Sequence, residues 1–495
     1  MIRKIRIALA SLCIMAVTAL FLDFTGTFHA WLGWVAKIQF LPALLALNLG
    51  VVALLVVLTL IFGRVYCSVI CPLGVMQDLV SWLSGRRKSK KYRFSYSPER
   101  RWLRYGVLAL FIIALVAGIG SVWALLAPYS SYGRIVSNLI APLYKLGNNA
   151  LAYLAERAGS YAFYEVDVWI KTLPTFIIAL LTFVVIGVLA WRSGRTYCNT
   201  ICPVGTVLGF LSRFSLLRIE IDKSKCNACG LCSRRCKASC INGSEHSVDY
   251  SRCVACMDCI DTCRHGAISY RRRRATTAKV VDEKQVDGTR RTFLTVGAAT
   301  VATAALKAQE AKVDGGLAAI EDKKVPERKT PIVPPGAQSI RNFTQHCVAC
   351  QLCVSACPND VLRPSTKLET LMQPEASYER GYCRPECTRC SEVCPAGAIL
   401  KIDKAEKSAI QVGHAVWIKE NCVALTDDVE CGNCARHCPV GAITMVPSDP
   451  DNTDSRKIPV VNTERCIGCG ACENLCPARP FSAIYVEGHE RHRTI

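Results

Sequence analysis

Two kinds of structure are predicted within one chain of 495 residues: an α-helical transmembrane four-helix bundle, and small α+β domains built around cysteine-bound metal. Three observations predict them. Hydrophobic residues make up 51% of the chain, and four long apolar stretches all fall in its first half. Twenty-four of the thirty cysteines fall in tight groups of four, in a chain far too long to be a small disulfide scaffold. Basic charge is also unevenly placed. Residues 307–495 carry 23 Lys+Arg against 24 Asp+Glu, so residues 1–306, with 37 against 15, hold the whole excess behind the formal net charge of +21.

The apolar stretches are 5–24, 40–63, 103–126 and 174–191, each long enough to span a hydrocarbon core of about 30 Å. Their flanks orient them. Arg3, Lys4 and Arg6 precede the first, the basic run 85–104 lies between the second and third, and Arg192 and Arg195 follow the fourth, with Arg271–Arg274 later. The connections 25–39 and 127–173 carry few or balanced charges. Both ends of the 1–217 unit are therefore expected on the cytoplasmic side of a bacterial inner membrane. The positive-inside rule accounts for the basic charge, no nucleic-acid-binding module is visible, and lipid rather than nucleic acid is the expected partner.

An internal repeat marks the ends of stretches two and four. GRVYCSVICPLG (63–74) and GRTYCNTICPVG (194–205) agree at 8 of 12 positions. Two related helix pairs, each closing on C-x3-C-P, predict an approximately symmetric bundle.

Cysteines two or three residues apart are badly placed to bond each other but well placed to wrap one metal centre. Residues 218–270 contain Cys226-x2-Cys229-x2-Cys232-x3-Cys236 and Cys253-x2-Cys256-x2-Cys259-x3-Cys263. This is the spacing of a bacterial two-cluster ferredoxin, in which three close thiolates hold one 4Fe–4S cluster and the fourth serves the other. Cys226, Cys229, Cys232 and Cys263 are thus expected around one cluster, and Cys253, Cys256, Cys259 and Cys236 around the second. Lys237 and Arg264 stand where proline usually follows the fourth cysteine. Zinc motifs seldom repeat three cysteines at two-residue gaps.

Residues 341–495 hold four more groups. Cys347, Cys350, Cys353 and Cys357, and Cys466, Cys469, Cys472 and Cys476, are complete ferredoxin motifs. Between them lie Cys383, Cys387, Cys390 and Cys394, then Cys422, Cys431, Cys434 and Cys438, with stretched first gaps. Short elements leave this domain little apolar core, so bound clusters are expected to supply much of its folding free energy. Twenty-four cysteines in all predict six 4Fe–4S clusters in α+β ferredoxin-like domains. Which fourth cysteine serves which cluster in 341–495 is open; a nesting of first motif with fourth and second with third would resemble other four-cluster electron-transfer subunits.

Cys67, Cys71, Cys198 and Cys202 lie in the repeat. If helical, each pair sits at i and i+4 on one face, and the proline ends the helix. Two such faces would bring four thiolates together at the membrane surface, to hold a further metal or cluster or to act as redox thiols; packed free cysteines at two helix ends are the plainer alternative. Cys13 reads as a small buried apolar residue, and Cys240 as a neighbour of a cluster.

TRRTFL (289–294) leads into an uncharged, Ala-rich run to 306, the form of a twin-arginine export signal placed mid-chain. That route suits a domain whose clusters are inserted in the cytoplasm, because it must cross the membrane folded. On this reading 271–340 is connector, anchor and linker, 218–270 stays cytoplasmic and 341–495 is periplasmic. Ala302-Thr-Ala304 is a candidate cleavage site, though cutting there would release the outer clusters, so an uncleaved anchor is expected.

The four-span unit with GR-x-YC-x2-ICP-x-G twice, followed by two clusters, resembles NapH-type membrane subunits. The twin-arginine signal, the lead PPGA (334–337), the four cluster motifs and CPARP (476–480) resemble NapG-type four-cluster ferredoxins. These are quinol-linked iron–sulfur proteins of periplasmic nitrate reductase, and the two modules appear here fused. The resemblance implies a quinol dehydrogenase subunit that oxidises membrane quinol and passes electrons to a periplasmic reductase or its electron-transfer subunit. A factor that keeps a partner metalloenzyme's site reduced is the alternative. The stretches contain no His for a bridging haem, so a mobile quinone, or the C-x3-C site as a relay at one face, is expected to connect the two sides.

Overall fold

The computed structural model describes residues 2–86, 94–273 and 321–495. The twin-arginine motif and the Ala-rich run after it lie outside the described residues.

The first apolar stretch forms α1 (Ile2–Leu22), a 21-residue helix about 31 Å long at about 1.5 Å per residue. A short α2 (Thr27–Lys37) follows. The second stretch is divided into α3 (Phe40–Leu45) and α4 (Leu49–Phe62). Leu47 at φ 53° ends the first piece, and the Asn48 side chain caps the second by accepting from Val51 N at 3.3 Å. After α5 (Pro72–Gly85) the third stretch is likewise split, into α6 (Arg101–Ala117) and α7 (Gly120–Leu126), with Gly118 in the left-handed region between them. The connection 127–173 contains α8 (Pro128–Ile135), a π-helical turn and α9 (Ala141–Arg157). The fourth stretch is the 21-residue α10 (Leu173–Ser193), followed by α11 (Thr196–Thr200) and α12 (Pro203–Ser212). Among the described residues, α1 and α10 are the two helices long and apolar enough to cross a membrane. The expected bundle of four uninterrupted spans is thus replaced by two long helices and two broken ones. Local capping residues override an otherwise continuous apolar run, which hydropathy alone does not register.

The repeat packs crosswise. α4, which precedes the first C-x3-C-P, lies against α12, which follows the second; α10 correspondingly lies against α5.

The segment after α12 is a small antiparallel unit. Its outer strands β1 (Leu217–Ile221) and β4 (Ile268–Arg272) pair from Leu217↔Arg272 to Ile221↔Ile268, around the ribbon of β2 (Ile241–Asn242) and β3 (Ser247–Val248). The C-terminal domain is a series of two-stranded ribbons: β5 (Leu362–Pro364) with β6 (Pro374–Ala376), β7 (Ile410–Trp417) with β10 (Ile484–Thr494), and β8 (Ile443–Asp449) with β9 (Asn452–Val461).

The two cysteine-rich units meet opposite ends of α1. At its start, Arg3 pairs with Asp258 and Asp261, both at 2.8 Å. Near its end, Phe21 packs on Tyr129, and Arg389 of the C-terminal domain donates to the carbonyl of Thr25 at 2.7 Å. The helix breaks serve that second docking. A Cβ on Gly120 would meet the Gln373 amide, and one on Gly397 would touch Ala46. Buried Trp123 donates from Nε1 to the Cys347 carbonyl at 3.1 Å, and Asn138 bonds Gln351 at 2.8 Å.

Candidate iron–sulfur sites and the buried cysteine quartet

The repeat builds a site from two like halves. Cys67 sits in the π-helical turn Tyr66–Ile70, and Cys71 is extended because Pro72 follows it. Cys198 lies in α11, while Cys202 takes the same extended form before Pro203 and accepts from Gly205 N at 3.3 Å. All four thiols are only 3–4% exposed. They form one group: Cys71 is within electrostatic reach of Cys67 and Cys198, and Cys202 of all three others.

The arginines of the two GR pairs cross between the halves. Arg64 donates to the Cys198 carbonyl at 3.1 Å and reaches Cys67 Sγ at 3.8 Å. Arg195 donates to the Cys67 carbonyl at 2.7 Å and reaches Cys198 Sγ at 3.9 Å. Both guanidinium groups are fully buried. Gly74 and Gly205 complete the exchange. A Cβ on Gly74 would strike the Cys67 carbonyl and Arg195, and one on Gly205 the Cys198 carbonyl and Arg64. The repeat therefore keeps Gly-Arg, Cys-x3-Cys-Pro and the final Gly for one purpose. Two buried cations and the N-termini of α5 and α12 thus surround the four sulfurs with positive potential.

In the segment between β1 and β4, Cys259 stands with Cys253, Cys256 and Cys236. Cys226 and Cys229 stand with Cys232, and a bond of 3.0 Å between Asn227 and His265 joins their loop to the turn after Cys263. Cys240 lies beside the group of Cys253 and Cys236, with its Sγ 3.5 Å from that of Cys236. Lys237, in the place of the usual proline, turns toward the helical unit and pairs with Asp78 and Asp258, each at 3.0 Å.

The C-terminal cysteines gather in neighbouring pairs of motifs. Cys394 stands with Cys347, Cys350 and Cys353, while Cys357 stands with Cys383, Cys387 and Cys390. Cys438 joins Cys466 and Cys469, and Cys476 joins Cys422, Cys431 and Cys434. The nested alternative, first motif with fourth, is therefore not the arrangement adopted. Motifs one and two close on each other as one compact unit, and three and four as another. Cys357, Cys383, Cys387 and Cys390 line a cavity of about 50 Å³. Lys407, itself buried, donates to Cys383 Sγ at 3.2 Å. Among the described residues no three His, Cys, Asp or Glu converge closely enough for a single metal ion. A cubane spreads its ligands over four separate irons, so groups of this wider kind suit it.

Between the quartet and the C-terminal domain lies a buried aromatic layer that the sequence did not disclose. Tyr66 and Tyr197 face the quartet, and Tyr129 lies within reach of Tyr66, Cys350 and Cys394. Arg134 is fully buried between Tyr197 and Cys350. On the other side Arg64 bonds the Ser251 carbonyl at 3.1 Å and lies near Cys253. The charge Arg104, assigned from sequence to a basic cytoplasmic run, is only 1% exposed and bonds Glu99 and Ser251. Its only sequence signal was its place at the start of an apolar stretch.

Family models described as 4Fe-4S binding domain match residues 44–91 and 172–222, the two halves of the repeat, and a further one matches 246–269. A 4Fe-4S dicluster domain matches 346–424 and 429–479. The ferredoxin-type protein NapG of Escherichia coli is 33% identical over 151 residues, 29% of this chain and 64% of its own length. The chain is a NapH/NapG-like polyferredoxin. NapH of the same organism is 27% identical over 197 residues, 40% of this chain and 55% of its own length. The methylamine utilization ferredoxin-type protein MauN of Paracoccus denitrificans is 29% identical over 209 residues, 42% of this chain and 57% of its own length. The chain thus spans less than two thirds of each of these three relatives. A NapH-like and a NapG-like part in one chain is consistent with fusion of the two. No solved structure matches.

Proposed function

We propose that this iron–sulfur electron-transfer protein is a membrane-bound conduit that takes electrons from membrane quinol and delivers them to a periplasmic reductase or its electron-transfer subunit. The observation that carries the reading is the buried quartet, set between two cysteine-rich units that dock at opposite ends of α1. Six clusters are assigned to the six cysteine groups described above, and a seventh 4Fe–4S cluster to Cys67, Cys71, Cys198 and Cys202. Bound clusters supply one-electron transfer between neighbouring centres. The chain's own part is to hold four thiolates at each point, exclude water, and balance charge with Arg64 and Arg195. Of the two routes expected from sequence, this reading takes the C-x3-C site as the relay in place of a quinone shuttle across the bilayer. The outer domain reaches the periplasm in this reading through the twin-arginine machinery, with the chain multi-pass in the inner membrane.

Redox maintenance of a partner fits less well, because thiols 3–4% exposed cannot be approached by another protein's disulfide. The test is reduction of detergent-purified protein by a menaquinol analogue, followed by EPR. Cluster signals appearing at the quinol potential support the reading; no reduction of any cluster would sink it. Iron analysis should give about 28 atoms per chain with the seventh cluster and about 24 without it.

A further inference from the structure

A cavity of about 730 Å³ lies between the start of α1 and the outer face of α5. One wall is apolar: Ile7, Leu79 and Trp82 are 41%, 52% and 54% exposed, a surface suited to acyl or isoprenoid chains. The other wall is charged and largely buried. Asp78 takes Arg6 at 3.0 Å, Arg195 at 2.8 Å and Lys237 at 3.0 Å, and Asp258 takes Arg3 and Lys237. Within this network Arg6 Nε is buried and has no hydrogen-bond partner. Arg3, Arg6 and Lys237 line this edge of the cavity, and three cations there are complementary to an oxygen acceptor.

The charged wall is also the nearest approach to two redox sites. Lys237 follows Cys236 directly, and Asp258 lies between Cys256 and Cys259. Arg195, held by Asp78, donates to the carbonyl of Cys67. A ligand oxygen at Arg6 would thus stand one side chain away from both the two-cluster segment and the quartet.

We propose that this cavity is the quinol-binding site, an assignment that rests on the quinol reading above. A ring oxygen lies against the cationic wall of Arg3, Arg6 and Lys237, and the isoprenoid tail leaves along Ile7, Leu79 and Trp82 into lipid. Oxidation of the bound quinol to quinone releases two electrons and two protons. One electron goes to each of the two iron–sulfur centres held by residues 226–263, and the protons go to water at the charged mouth beside Arg3 and Asp261. An anionic lipid headgroup could meet the same cations through its phosphate, and the experiment separates the two.

The full-length protein is labelled with a photoreactive azidoquinone and mapped by peptide mass spectrometry. Reduction by menadiol is then timed in the wild type, in Ser11→Trp, which fills the cavity from an exposed position, and in Arg6→Met. Expected are label on the peptide containing Leu79 and Trp82, its displacement by excess unlabelled quinone, and a tenfold or greater slowing in both variants, with iron content and dithionite-reduced EPR signals retained. Label elsewhere, or wild-type rates in both variants while the wild type is reduced by menadiol, overturns the site but leaves the quinol reading intact. Failure of menadiol to reduce the wild type removes both. Displacement of the label by cardiolipin but not by quinone assigns the cavity to lipid and overturns the proposal.

Discussion

Gly205→Ala adds one methyl group at the quartet and nothing elsewhere. The new Cβ would overlap the Cys198 carbonyl and stand 2.9 Å from Arg64 Nη2, both inside normal contact distance. The carbonyl belongs to buried Cys198 and the guanidinium is fully buried, so neither can yield freely. Overpacking of this kind costs about 1–3 kcal/mol, a factor of about 5–140 in an equilibrium constant. Because cluster binding and local folding are coupled, that strain should appear as weakened cluster retention at Cys198 and Cys202. The assay is iron per chain after mild chelation, with EPR of the reduced protein. Iron is expected to fall from about 28 toward about 24 atoms, while signals from the ferredoxin-type groups persist. Gly187→Ala is the control: it lies within α10 with nothing within 4 Å of the added Cβ. Equal iron retention in the two variants would refute a cluster held by the quartet against Arg64.

Lys407→Met removes the hydrogen bond to Cys383 Sγ at 3.2 Å, and a redox titration followed by EPR should show that centre's potential lowered by on the order of 50–100 mV. Cys394→Ser should impair the centre of Cys347, Cys350 and Cys353, and Cys357→Ser that of Cys383, Cys387 and Cys390; Mössbauer spectra of the two variants showing the reverse assignment would restore a different pairing. Asp78→Ala leaves the fully buried Arg195 without its carboxylate, which should cost about 3–5 kcal/mol and lower the midpoint of thermal aggregation in detergent. In the native protein the three cations hold the Asp78 carboxyl below the ordinary carboxylate range. Its contribution is therefore present above the unfolded-state pKa and lost only as pH falls through the lower folded value, so the deficit of the variant should be constant between pH 6 and 8.

Cysteine spacing was legible because the first three thiols of each ferredoxin group come from one short loop, and local sequence sets that geometry. The repeat was legible for the same reason: in both of its copies Cys-x3-Cys-Pro gives a turn, an extended second cysteine and a new helix. The partner of each fourth cysteine was not, since Cys394 and Cys357 exchange across loops whose path depends on how the two motifs close. Nor did hydropathy register Asn48 or Gly118, single residues that divide two apolar stretches and open a floor for the C-terminal domain.

Charge was the least transparent feature. Arg104 and Arg195 read from sequence as charge flanking apolar stretches, and Arg64 and Arg134 carried no such assignment, yet each is buried against carbonyls, carboxylates or thiols. Sequence by itself marked the cysteine groups of the 4Fe–4S binding domains, because ligand spacing is a short-range property. Tertiary structure alone decided that four further cysteines, 131 residues apart between copies, form one dry group between the two cysteine-rich units. Long-range packing of α4 on α12 and α10 on α5 brings them together, and no local pattern encodes that contact.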